Sequence, residues 1–147
     1  VGVGGSLLYF LDEHTTQLKN FFVPHEKPVR AKSRGMLRID HLTNNVAFGT
    51  MKQWAEFYVR VFAFTEVRTF SIRGRATGLK SYALRSPDGS FCIPINESND
   101  AKSQINEYLE EYNGAGIQHI AFLTKDVVIF CANVFMLARE HVYMCYV

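Results

Sequence analysis

The chain has 147 residues, of which 48% are hydrophobic, enough for one ordinary core. Sixteen Lys and Arg face fourteen Asp and Glu, for a net charge of +2, so there is no electrostatic footprint for nucleic acid. The longest apolar run, "VVIFCANVFMLA", is interrupted by Asn133 and falls well short of the roughly 20 apolar residues that span a bilayer, so no membrane partner is expected.

The opening "VGVGGSLLYF" lacks the charged start and cleavage site of a signal peptide. Residues 6–13 alternate well enough to predict a strand. Residues 23–35, "VPHEKPVRAKSRG", combine two prolines with a run of basic side chains and read as a linker. Residues 1–22 then read as the end of a preceding N-terminal domain, and 36–147 as the domain that follows. The start without methionine and the close on the β-rich "HVYMCYV" suggest an internal or truncated segment.

From Met36 the pattern tightens. A strand is predicted over 36–46, followed by a helix over about 50–63 whose stripe is Met51, Trp54, Ala55, Tyr58, Val61 and Phe62. Three strand-like runs come next. "TEVRTFSIR" closes at the Gly74–Gly78 loop, "LKSYALR" leads into the turn "SPDG", and "FCIPINE" contains Pro94, which points to an edge position or a bulge. Ser103 offers an N-cap for a second stripe of Ile105, Tyr108, Leu109 and Tyr112, ended by Asn113 and Gly114.

Then the order restarts. "GIQHIAFLT" is a strand, Asp126 can cap a helix over about 127–140, and "HVYMCYV" begins another strand. That helix is apolar on all sides, which suggests deep burial or a subunit contact and hence a homo-oligomer. Cys92, Cys131 and Cys145 lie in apolar segments, as buried free thiols of a reducing cytoplasm would.

The two copies share one feature. His41 in "RIDHLTNNV" and His119 in "GIQHIAFLT" each sit inside a strand, with isoleucine two residues before and leucine or isoleucine directly after. Aligning them aligns the helix that follows each and the strand after it. The fold class is therefore α+β, built from βαβββ repeats: one complete module over about 36–100 and an incomplete second over about 115–147.

A single strand histidine is more often a hydrogen-bonded core residue than a ligand. Paired modules change the balance, because matched positions converge on one cavity. Two imidazoles meeting there repel if both are protonated, and a divalent metal holds both neutral. Two histidines and a carboxylate with three open positions is the ligand set of non-haem Fe(II) oxygenases. His14, His25 and His141 have no partner pattern.

"IDHLTNNV", "GLKSYALRSPDGSFCIPINE" and "SQINEYLEEYNGAGIQHIAF" together resemble the C-terminal half of the 4-hydroxyphenylpyruvate dioxygenase family, within the vicinal-oxygen-chelate superfamily. The resemblance is close over about 36–126 and looser towards both ends. It implies that His41 and His119 bind Fe(II), that Ser81, Asn96 and Gln118 bind substrate, and that Gln118 takes a catalytic part. Without it, Ser81 reads as a solvent-facing strand residue and Asn96 as a turn former. Asp40 precedes the first histidine on the opposite face, where bonding a nearby backbone is its expected role.

The implied reaction converts 4-hydroxyphenylpyruvate and O2 to homogentisate and CO2, in tyrosine and phenylalanine catabolism. The family's third ligand is a glutamate from a late strand of the second module, expected beyond Val147. Glu140 is on the wrong element to replace it, and Glu97 ends a strand of the first module. A polypeptide ending at Val147 is therefore expected to bind Fe(II) weakly and to make no homogentisate. Three alternatives stand beside this reading. They are a hydroxymandelate synthase with the same ligands, a metal-free ligand-binding module on the same fold, and an assembly piece that contributes a sheet edge.

Overall fold

A computed structural model describes residues 1–12, 25–28, 35–73 and 77–135. The chain divides into two compact units, Val1–Ser6 with Leu37–Leu123, and Leu7–Met36 with Thr124–Val147. The expected strand at 141–147, most of the 23–35 linker, and His14, Glu140, His141 and Cys145 lie outside the described residues.

The first unit is a five-stranded sheet with helices. In chain order the elements are β1 (Met36–Asn45), α1 (Met51–Phe62), β2 (Thr65–Arg73), β3 (Gly78–Arg85), β4 (Cys92–Glu97), α2 (Gln104–Glu111) and β5 (Gly116–Thr124). The sheet runs β2-β3-β4-β1-β5. β2–β3 and β3–β4 are antiparallel and β1–β4 is parallel. The crossover from β1 through α1 brings the chain back to the same sheet, as a parallel pair requires.

Strand alternation divides the sheet into two unlike faces. Val46, Leu84, Ile93 and Ile95 pack with Met51, Ala55 and Tyr58 of α1 to make the core. The amphipathic spacing of α1 is what this face demands. Ala63, in the left-handed conformation at φ 54°, ends the helix, and the Phe64 N–H returns to the Tyr58 carbonyl at 3.3 Å. Burial pushes the Tyr58 phenol above its usual pKa, while a backbone hydrogen bond at Val3 pulls the other way.

The hairpin and cap signals act as their residue types require. In the β3–β4 turn the Gly89 N–H bonds the Ser86 carbonyl at 2.9 Å, and the Asp88 carboxylate gathers both Ser86 and Ser90. Ser103 caps α2 by accepting from the Asn106 N–H at 3.2 Å, and Asn113 and Gly114 follow with positive φ.

Three expectations need correction. Residues 6–12 form no strand. A single 3-10 turn at Val3–Gly5 precedes them, and Leu7, Leu8, Tyr9, Phe10 and Leu11 are all exposed, so the alternation there does not mark a strand with one buried face. Pro94 stands at neither an edge nor a bulge, since β4 lies between β3 and β1. Its missing N–H is accommodated because the parallel partners are His41↔Cys92, Asn44↔Ile95 and Asn45↔Asn96, so that ladder skips Pro94. Cys92 and Cys131 are half-buried rather than buried.

In the second unit, α3 covers Val127–Phe135, capped by Asp126, whose carboxylate accepts from the Ile129 N–H at 2.9 Å. Val127, Val128 and Ile129 are exposed rather than deeply buried. Among the described residues no helix is long and apolar enough to cross a membrane.

Candidate metal centre

The face of the sheet opposite α1 carries the polar residues. Register alone assembles it: His41 stands beside Cys92, Asn45 beside Asn96, Asn96 beside Ser81, and Ser81 beside Phe70. Residues 41, 43 and 45 of β1 share this face, as do 92, 94 and 96 of β4. Glu97 falls on the other face. There its carboxylate accepts from the Gly49 and Met51 N–H groups at the start of α1, at 2.8 and 3.1 Å. That geometry explains why Glu97 does not join the histidines.

β5 lies next to β1 and brings His119 to His41. Their Nε2 atoms are 3.3 Å apart, with ring centroids at 5.4 Å and an edge-on arrangement. The far side of each ring is held by the residue directly before it. His41 Nδ1 donates to Asp40 Oδ2 at 2.9 Å, and His119 Nδ1 meets the carboxamide oxygen of Gln118. With both Nδ1 positions so engaged, two Nε2 lone pairs face each other. Partial burial, and secondarily the neighbouring His41, holds the pKa of His119 below the usual imidazole value. Its neutral form is thus favoured. Thr43, buried beside His41 on β1, places its hydroxyl 3.0 Å from His119 Nε2.

One cation or one shared proton relieves such a facing pair. The donor set fits a divalent metal of intermediate softness: two neutral imidazole nitrogens directed at one point, each ring oriented through its other nitrogen. Among the described residues no third His, Cys, Asp or Glu joins them.

Ser81 and Asn96 stand on the same face but in a separate row. Asn96 Nδ2 donates to Asn45 Oδ1 at 3.3 Å, and Ser81 and Asn45 are buried. Asn45 lies four positions along β1 from His41, or about 13 Å at ~3.3 Å per residue. Gln118 joins His119 rather than this row. A cavity of about 190 Å³ lies elsewhere, lined by Phe48, Lys80, Glu97 and Ser98 among others.

Sequence reasoning missed three residues here. Thr43 and Asn45 share parity with His41, and that signal was sufficient to find them. Asp40 was expected to bond backbone, yet it bonds the histidine ring. The hint was that an oxygen-bearing side chain precedes both histidines.

Residues 38–134 match the sequence profile of the Glyoxalase/Bleomycin resistance protein/Dioxygenase superfamily. Protein MelA of Shewanella colwelliana is 51% identical over 131 residues, covering 86% of this chain and 38% of that protein. A 4-hydroxyphenylpyruvate dioxygenase of Legionella pneumophila (strain Corby) is 49% identical over 126 residues, covering 85% and 36%. Among solved structures, a variant of 4-hydroxymandelate synthase from Streptomyces coelicolor superposes with a TM-score of 0.64 at 26% identity, covering 71% of this chain and 31% of that one. The chain thus spans 36–38% of the length of these two curated relatives. With a profile match across most of its length and this sheet architecture, the chain belongs to the Glyoxalase/Bleomycin resistance protein/Dioxygenase superfamily.

Proposed function

We propose that this chain is the histidine-bearing part of a non-haem Fe(II) dioxygenase that converts 4-hydroxyphenylpyruvate and O2 to homogentisate and CO2. The observation that carries the reading is the facing His41–His119 pair, 3.3 Å apart, in a chain 49% identical to a protein named for that activity. His41 and His119 would hold the metal, with a carboxylate from outside the described residues as third ligand. When bound, the metal would supply a Lewis-acid centre for the 2-oxo acid and a site for O2.

The chain's own residues bind and orient. Ser81 and Asn96, in a row about 13 Å along the strand from the histidines, suit the phenol end of an elongated aryl 2-oxo acid whose other end lies at the histidines. A site that hydrogen-bonds a hydroxyl discriminates strongly against analogues lacking it. Gln118 would stand between both tasks, holding the His119 ring and offering its amide N–H to the substrate.

A second reading has support from the likeness to 4-hydroxymandelate synthase. The same substrate would then be oxidised at the benzylic carbon. Anaerobic calorimetric titration with Fe(II) tests the metal. His41→Ala and His119→Ala should each weaken binding at least ~10-fold, since changes outside the ligand sphere alone commonly do as much. Equal affinity in all three proteins would remove the histidines from the site. Chromatography of the products from 4-hydroxyphenylpyruvate and O2, with the third carboxylate supplied, separates homogentisate from 4-hydroxymandelate. Turnover by the 147-residue chain alone would mean that another carboxylate, from this chain or from a second copy, completes the site.

A further inference from the structure

We propose that Asp40 is a positioning residue that fixes the tautomer of His41, and thereby decides whether the two histidines can share a metal. This inference rests on the reading of His41 and His119 as ligands of one ion. A carboxylate has only acceptors to offer, so the 2.9 Å contact between Asp40 Oδ2 and His41 Nδ1 places the ring proton on Nδ1. The Nε2 lone pair is then free to face His119 Nε2 at 3.3 Å. In the other tautomer the Nε2 hydrogen would occupy the space between the rings and a cation could not enter.

The contact departs from what strand geometry supplies by default. Neighbouring residues of a strand project to opposite faces, so Asp40 should point away from the His41 ring. It reaches back midway along β1, just before the first β1–β4 partner pair, His41↔Cys92. Asp40 is 40% exposed, and it belongs to no core cluster. Packing therefore gives no reason for a carboxylate here, whereas the ring does.

The matched position in β5 carries Gln118, whose carboxamide oxygen meets His119 Nδ1. Both rings are thus oriented from the residue before them, one by an anion and one by a neutral amide.

Two readouts on the 147-residue chain test this. In the metal-free protein, long-range 15N–1H correlation spectra of the imidazoles should show His41 protonated at Nδ1. Asp40→Ala should move the proton to Nε2, and Asp40→Asn, which keeps an acceptor oxygen, should largely retain the Nδ1 form. In anaerobic Fe(II) titrations, Asp40→Ala should weaken binding about 10–100-fold, with Asp40→Asn between it and the wild type. A wild-type His41 protonated at Nε2 would overturn the proposal, as would an Asp40→Ala protein with unchanged metal affinity. If the wild type and His119→Ala bind Fe(II) equally poorly, the metal reading fails, and the spectra still decide whether Asp40 sets the tautomer.

Discussion

Glu97 offers a quantitative test of how the sheet is built. Its carboxylate, 7% exposed, accepts from Gly49 N–H at 2.8 Å and from Met51 N–H at 3.1 Å. Met51 is the first residue of α1 and is itself buried. In Glu97→Ala the Met51 N–H loses its partner away from water, at a cost of about 1–3 kcal/mol. The favourable placement of an anion at a helix start is lost as well, a further ~0.3–1 kcal/mol. Gly49 is exposed, so water replaces its bond cheaply. Release of a buried carboxylate offsets part of the total. The expected net loss is about 1–3 kcal/mol. Glu97→Gln keeps an acceptor and should lose only ~1 kcal/mol. Equilibrium urea unfolding reads both, through a lowered midpoint at unchanged slope. An alanine variant within ~0.5 kcal/mol of wild type, the size of an ordinary surface change, would refute this account. It would mean that Glu97 does not hold α1 to the sheet.

Three further outcomes follow from the structure. Gly4 has φ +63° and a Cβ there would lie 1.8 Å from the Ala115 carbonyl oxygen, so Gly4→Ala should lower the urea midpoint by the equivalent of about 1–3 kcal/mol, as overpacking does. Asp88 is held at about 2, below its ordinary 3.8, by hydrogen bonds from Ser86 and then Ser90. Its contribution is therefore fully present above ~pH 4 and lost as pH falls towards 2, and Asp88→Asn should flatten that part of the stability profile. On the proposed function, Asn96→Ala should weaken 4-hydroxyphenylpyruvate binding to the Fe(II)-loaded protein by about 1–3 kcal/mol, the cost of one unpaired polar contact, with Fe(II) affinity unchanged. Equal losses of ligand and metal binding in that variant would place Asn96 at the metal instead.

The elements were legible in the sequence because their signals are local. The stripe from Met51 to Phe62, the "SPDG" turn, the Ser103 cap and the Asn113–Gly114 stop each depend on neighbours within a few residues, and the structure has an element boundary at each. Ser81 and Asn96 were reached only through the family resemblance, because their residue types alone read as a solvent-facing strand residue and a turn former. Partners distant in sequence were another matter. That Pro94 could sit in mid-sheet depended on a gap in the β1–β4 ladder, and residues 6–12 alternate without forming a strand because neither face of them is buried. Two strand histidines were visible as a repeat, but their approach to 3.3 Å follows from β1 and β5 lying side by side. Asp40 shows the same limit most plainly. Period-two geometry sends it away from His41, and only the folded chain, where β1 has not yet entered its ladder with β4, lets the carboxylate turn back to the ring.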